Sequence, residues 1–197
     1  MVYRLPAIVT ALTAVFAATS AAAHDAVGVA GGLESGFLHP ILGPDHLIAM
    51  VAVGLWGAQL GRPLVFALPV AFPLVMAVGG VLGVAGVPLP AVEVGIALSG
   101  LVLGLAIAFA FRAPVWVAVL LVGTFALLHG HAHGTELPTA AEPLAYGIGF
   151  VISTGLLHVV GIAIGLLNDW RKIGPSVVRG CGAVIASFGL LFLVGAI

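Results

Sequence analysis

Long apolar runs divided by short polar breaks set the pattern of this chain. The runs cover residues 37–60, 64–87, 91–111, 115–129, 143–167 and 180–197. Most approach the ~20 residues that a helix needs to cross a bilayer. The breaks are rich in turn formers: Gly61-Arg62-Pro63, Pro88-Leu89-Pro90, Arg112-Ala113-Pro114, and the polar loop 168–179. The pattern predicts an all-α fold, a polytopic membrane bundle of six transmembrane helices. Pro69 and Pro73 predict kinks in the second helix, because proline removes a backbone donor and crowds the preceding turn.

A shorter apolar run precedes these six. Residues 1–23 carry Arg4, an apolar stretch, and the small-residue end Ala21-Ala22-Ala23. This is the layout of a cleaved signal peptide. Domain organisation is therefore expected as a leader at 1–23 and a six-helix transmembrane domain at 24–197. Cleavage after Ala23 would make His24 the new N-terminus, where the α-amine and the imidazole of one residue can chelate a metal together. Residues 26–36 are small and Gly-rich and read as an extracytoplasmic lead-in. With the mature N-terminus outside, alternation puts Arg62, Arg112, Arg171, Lys172 and Arg179 on the cytoplasmic side. They are all the Lys and Arg of the mature chain, so the positive-inside rule is met throughout. Both mature termini are expected in the periplasm of a bacterial inner membrane.

Composition sharpens the picture. The 197 residues are 62% hydrophobic and 7% charged, with mean hydropathy +1.30. A soluble domain carries about 25% charged residues. The net charge of -1 gives no reason to expect a nucleic-acid partner; lipid is the partner that this surface calls for. Cys181 is the single cysteine, which excludes an intrachain disulfide and a cysteine-cluster metal site. Seven histidines stand against six Lys plus Arg, and histidine is both a common metal ligand and a proton carrier near neutral pH.

Apart from His24, the histidines fall into three constellations. The first is His39-Pro40-Ile41-Leu42-Gly43-Pro44-Asp45-His46, at the start of the first mature helix. Titratable groups in hydrocarbon are costly and mark functional sites. Pro40 and Pro44 cannot donate to the carbonyls of Gly36 and Pro40, so the helix is expected to be broken here. His39 and His46 share a face of an ideal helix, and Asp45 joins them only if the Gly43-Pro44 break turns the chain. Asp45 is also suited to orient a histidine through its second nitrogen. The second constellation is His129, His131, His133 and Glu136. If extended, its histidines point the same way; if helical, His129 and His133 share a face and His131 does not. A solvated His-rich loop explains it equally well. The third is His158, which shares a helical face with Thr154, Gly161 and Gly165, so that it packs inward. A buried imidazole in lipid needs a partner, and the first two constellations are the nearest source. Glu93 reads as a pathway residue or as a carboxylate snorkelling to the interface.

Glycines at four-residue spacing, Gly57/Gly61, Gly79/Gly83, Gly100/Gly104 and Gly161/Gly165, permit close helix contact. They suit packing within one chain or a homo-oligomer equally.

Imidazole and carboxylate without thiolate suit divalent nickel, cobalt, zinc or copper, and suit magnesium or calcium poorly. A proton relay without metal is the alternative. The run His39-Pro40-x-x-Gly43-x-Asp45-His46 resembles the signature of the HupE/UreJ family of nickel and cobalt permeases. Supporting likenesses are His129-Gly130-x-Ala132-His133-Gly134-x-Glu136 and Gly155-Leu156-Leu157-His158-x-x-Gly161. The resemblance implies uptake of Ni2+ or Co2+ as substrate, with His39, Asp45 and His46 central, and implies no prosthetic group. The chain has no Gly-x-x-x-x-Gly-Lys-Ser/Thr phosphate loop, so ATP hydrolysis by that route is excluded. An intramembrane metalloenzyme is disfavoured by the lack of a His-Glu-x-x-His pattern, and a non-transporting metal sensor by the lack of a sizeable soluble domain. The reading is therefore a secondary transporter rather than an enzyme, taking a divalent metal from the periplasm.

Overall fold

The computed structural model describes residues 32–137, 143–170 and 173–195. Its helices are α1 Gly32–Leu42, α2 Pro44–Leu60, α3 Leu64–Val84, α4 Val92–Ala108, α5 Val115–Thr135, α6 Pro143–Gly165 and α7 Gly174–Leu193, with one 3₁₀ turn, Leu166–Asp169, after α6. The expected signal peptide, His24, Glu142, Arg171 and Lys172 lie outside the described residues. No strand occurs among the described residues, and the fold is an all-helical membrane bundle.

Span lengths follow the apolar runs with informative departures. The helices α3, α5, α7 and α6 with its 3₁₀ extension are each long and apolar enough to cross a membrane, and α1 with α2 makes a fifth span bent by 78°. The remaining expected span, the third at 91–111, is α4, which has 17 residues. At 1.5 Å per residue it covers about 25 Å, a little under the hydrocarbon thickness. The expected lead-in 26–36 is already helical from Gly32. Pro69 and Pro73 do not interrupt α3, which runs through both. The fifth helix does not stop at His129 but continues to Thr135. The last helix begins at Gly174, so Arg179 lies inside it rather than in the preceding loop.

The bundle is organised around α2. Met50, Ala52, Val53, Leu55 and Trp56 on it are all at 0% exposure, and α3, α4, α6 and α7 surround it. A helix apolar on every side and buried on every side belongs at the centre. The outward faces are hydrocarbon instead: Phe66, Val70, Leu74, Val78 and Val81 form an exposed stripe along α3.

Glycine sets which helices meet. Gly79 and Gly83 of α3 lie against the carbonyls of Leu127 and His131 on α5, and Gly130 and Gly134 of α5 lie against Met76 and Gly80 on α3. Gly54 of α2 meets the His158 carbonyl, and Gly161 of α6 meets Val51. Gly104 on α4 abuts Gly182 and Ala186 on α7. Small side chains let backbones approach where no hydrophobic force draws helices together. Gly61 does not belong to this group. It caps α2 at φ 79°, with open space where a side chain would sit.

Side-chain bonds define the two ends of the bundle. At one end Trp56 Nε1, Gln59 Nε2 and Arg179 Nε donate to the carbonyls of Phe111, Ile107 and Ala108, at 3.3, 3.2 and 2.7 Å. These carbonyls cluster at the end of α4, where helix termini leave acceptors without partners. Arg62 and Arg112 sit in the loops of this end. The histidine-bearing segments gather at the other.

A β-carbon on Gly104 would fall on backbone atoms of Ala186 and Gly182, whereas Gly147 has nothing within 4 Å. Gly104→Ala is expected to destabilise the bundle by about 1–3 kcal/mol, and Gly147→Ala to leave it unchanged or slightly firmer. Thermal unfolding in detergent micelles checks both.

Candidate metal centre

The site begins with the break between α1 and α2. Gly43 is extended, at φ -82° and ψ 104°. Its N–H still donates to the His39 carbonyl at 2.9 Å, closing α1, and its carbonyl accepts from Leu47 N–H at 2.9 Å, opening α2. Pro44 occupies the first position of α2, where a missing N–H costs no helical bond. Pro40, expected to help break the chain, stays inside α1; the turn comes from Gly43-Pro44 alone.

The bend brings His39 and His46 together across the elbow. Their rings are stacked, with centroids 5.6 Å apart and planes at 25°. A β-carbon on Gly43 would meet His46 Cδ2 at 3.2 Å, the His39 carbonyl at 3.3 Å and Asp45 Oδ1 at 3.4 Å. The bare glycine therefore leaves room for all three. Asp45 Oδ2 lies 3.6 Å from His46 Nδ1. That is too long for a hydrogen bond but near enough to steer the ring.

The third imidazole arrives on α5. Because this helix continues through the second constellation, His129 and His133 share its inward face. The His133 ring is 4.8 Å from that of His39 and 4.4 Å from that of His46. The His129 ring, one turn deeper, is 5.2 Å from His46. His39, His46 and His133 each offer one ring nitrogen, and these three atoms lie within 4.8 Å of one another. Ligand nitrogens about 2.1 Å from a common ion sit roughly 3–3.5 Å apart, so small ring rotations suffice for binding. Both nitrogens of His133 and Nδ1 of His46 are buried with no hydrogen-bond partner among the described residues. Phe150, with its ring 4.3 Å from His133, and Tyr146, 6.1 Å from His39, wall the cluster. Aromatics in apolar runs gave no sequence signal of this role.

Other predicted site residues lie elsewhere. His131 turns away from the cluster, and its Nε2 bonds the Val87 carbonyl at 2.7 Å, beyond the end of α3. Glu136 caps the end of α5 and is exposed, outside the three-histidine group. Glu93 is exposed in the first turn of α4. His158 is 1% exposed and sits deeper, and the Phe72 ring contacts both it and His129, with centroids 5.4 Å and 5.7 Å away. On its own helix His129 Nδ1 donates to the Phe125 carbonyl at 2.9 Å, while its Nε2 is buried without a hydrogen-bond partner among the described residues.

His133→Ala should reduce metal affinity at least about 10–100-fold, the range seen even for residues that only orient ligands. His131→Gln retains a donor for the Val87 carbonyl and should leave affinity unchanged. Isothermal titration with Ni2+ on purified protein distinguishes the two.

Comparison with known proteins gives a consistent family. Residues 11–192 match the family model described as HupE / UreJ protein. Protein HupE of Rhizobium leguminosarum bv. viciae is 47% identical over 174 residues, covering 88% of this chain and 91% of the relative. No solved structure matches the chain.

Proposed function

The chain belongs to the HupE/UreJ family, and from that premise we propose that it is a secondary permease for a divalent transition metal, Ni2+ or Co2+ before Zn2+ or Cu2+. One observation carries this reading: three imidazoles from three separate helices converge under a broken helix, with donor atoms within 4.8 Å. Broken helices bearing ion sites are a recurring device of transporters. The neutral nitrogen donors favour a borderline cation over magnesium or calcium. A transported ion must also leave again, and a three-nitrogen set at the elbow holds it without a closed cage.

In this reading the histidine end of the bundle faces the periplasm, and the end holding Arg62, Arg112 and Arg179 faces the cytoplasm, as positive-inside orientation favours. The metal enters at the elbow. His39, His46 and His133 replace part of its water shell, and Asp45 orients His46 and offsets the charge of the ion. The carboxylate of Glu136, at the mouth, and His24, if cleavage exposes it, attract the cation before it enters. In this reading the spans number six, with α4 crossing where the bilayer is locally thinned.

Uptake of radioactive nickel into proteoliposomes tests the proposal. Saturable uptake is expected, with cobalt the strongest competitor, and His39→Ala or His46→Ala should lower it by more than about tenfold. Uptake by these variants at the wild-type rate, in correctly inserted protein, would overturn the assignment of the site. For orientation, a reporter enzyme that works only in the periplasm should be active when fused to the C-terminus, and inactive when inserted at Arg112.

A further inference from the structure

One buried imidazole remains outside the cluster. His158 lies in the middle of α6, level with Met50 and Gly54 of α2. Along α2 this is one to two turns below His46, about 6–12 Å at 1.5 Å per residue. Its Nδ1 is 2.8 Å from the Met50 carbonyl. A carbonyl only accepts, so Nδ1 carries the proton and, in the neutral ring, Nε2 bears the bare lone pair. The same argument applies to His129, whose Nδ1 donates to Phe125. Fixing one ring nitrogen on a backbone carbonyl is how proteins present the other to a metal. In both residues Nε2 is buried without a hydrogen-bond partner among the described residues. The hydroxyl of Thr154, one turn before His158 on the same face of α6, is likewise buried and unpartnered. Both imidazoles touch the same ring, Phe72. Buried polar atoms without partners are costly in an apolar bundle. Three of them, two held in the ligand tautomer, leading inward from the outer cluster, need a shared explanation.

We infer that His158 Nε2, with the Thr154 hydroxyl one turn away on the same helical face, is a second and inner station for the transported divalent cation, which receives the ion from His129 past the edge of Phe72. This rests on the permease reading and extends it: the ion crosses the core by exchange between imidazoles rather than through a water-filled pore. No bond other than coordination is made or broken. Each transfer trades one nitrogen donor for another.

A crossed pair of variants separates a ligand from a structural histidine. His158→Asn keeps an N–H near the position of Nδ1, and so keeps the bond to Met50, but lacks the bare nitrogen. His158→Cys restores a metal-binding lone pair and lacks that N–H. The two variants and wild type are reconstituted in proteoliposomes and assayed for radioactive nickel uptake, with Ni2+ binding to the outer cluster measured beside it. The inference expects His158→Asn to lose about tenfold or more in maximal uptake rate while outer-cluster affinity is unchanged. His158→Cys should keep more of the rate and become newly sensitive to cadmium. If Asn is level with or ahead of Cys, His158 is structural and the inference falls. If wild type itself shows no saturable uptake, the permease reading fails first and takes the inner station with it.

Discussion

The elbow at Gly43-Pro44 is the constraint on which the site depends. A continuous helix would leave His39 and His46 on one stripe and Asp45 round the side. The 78° bend instead folds α1 over the top of α2, so that two imidazoles stack across the break and a third meets them from α5. The break is inexpensive because Pro44 starts a helix, where its missing donor is not needed. A functional geometry is thereby obtained from a position that is locally well behaved, and the stability of the bundle is left to other contacts.

Those contacts are glycine seams. The helices that carry ligands are each joined to a neighbour through backbone approach: α5 to α3, α6 to both α1 and α2. By contrast α5 packs chiefly on α3 and secondarily on α4, and its histidines bridge to α1 and α2 through ring contacts. The histidine cluster therefore occupies a seam between separately welded groups of helices rather than the interior of one. Site formation and helix association are coupled there, which is the arrangement expected where binding and release must both occur.

Much of this was readable from the chain. Apolar run lengths gave the helices, and Pro44 beside two histidines gave a break with imidazoles meeting across it. The grouping of His129 with His133, and the exclusion of His131, followed from 3.6-residue periodicity once the segment was helical. What periodicity did not decide was whether it was helical at all. Three histidines and two glycines within 129–134 look like a solvated loop, and only burial against α3 and the elbow keeps them in a helix. Pro40 overstated its effect, because a proline within an apolar helix loses one bond that tertiary packing tolerates. The walls made by Phe72, Tyr146 and Phe150 were invisible, since an aromatic residue in a hydrophobic run reads the same whether it faces lipid or an ion.

The most direct test of the central claim is the nickel-edge X-ray absorption spectrum of the metal-loaded protein. Three imidazoles meeting at the elbow predict nitrogen ligands at about 2.1 Å with the outer-ring scattering of histidine, and one imidazole fewer in His133→Ala. A shell made only of oxygen, or one that His133→Ala leaves unchanged, would contradict the account.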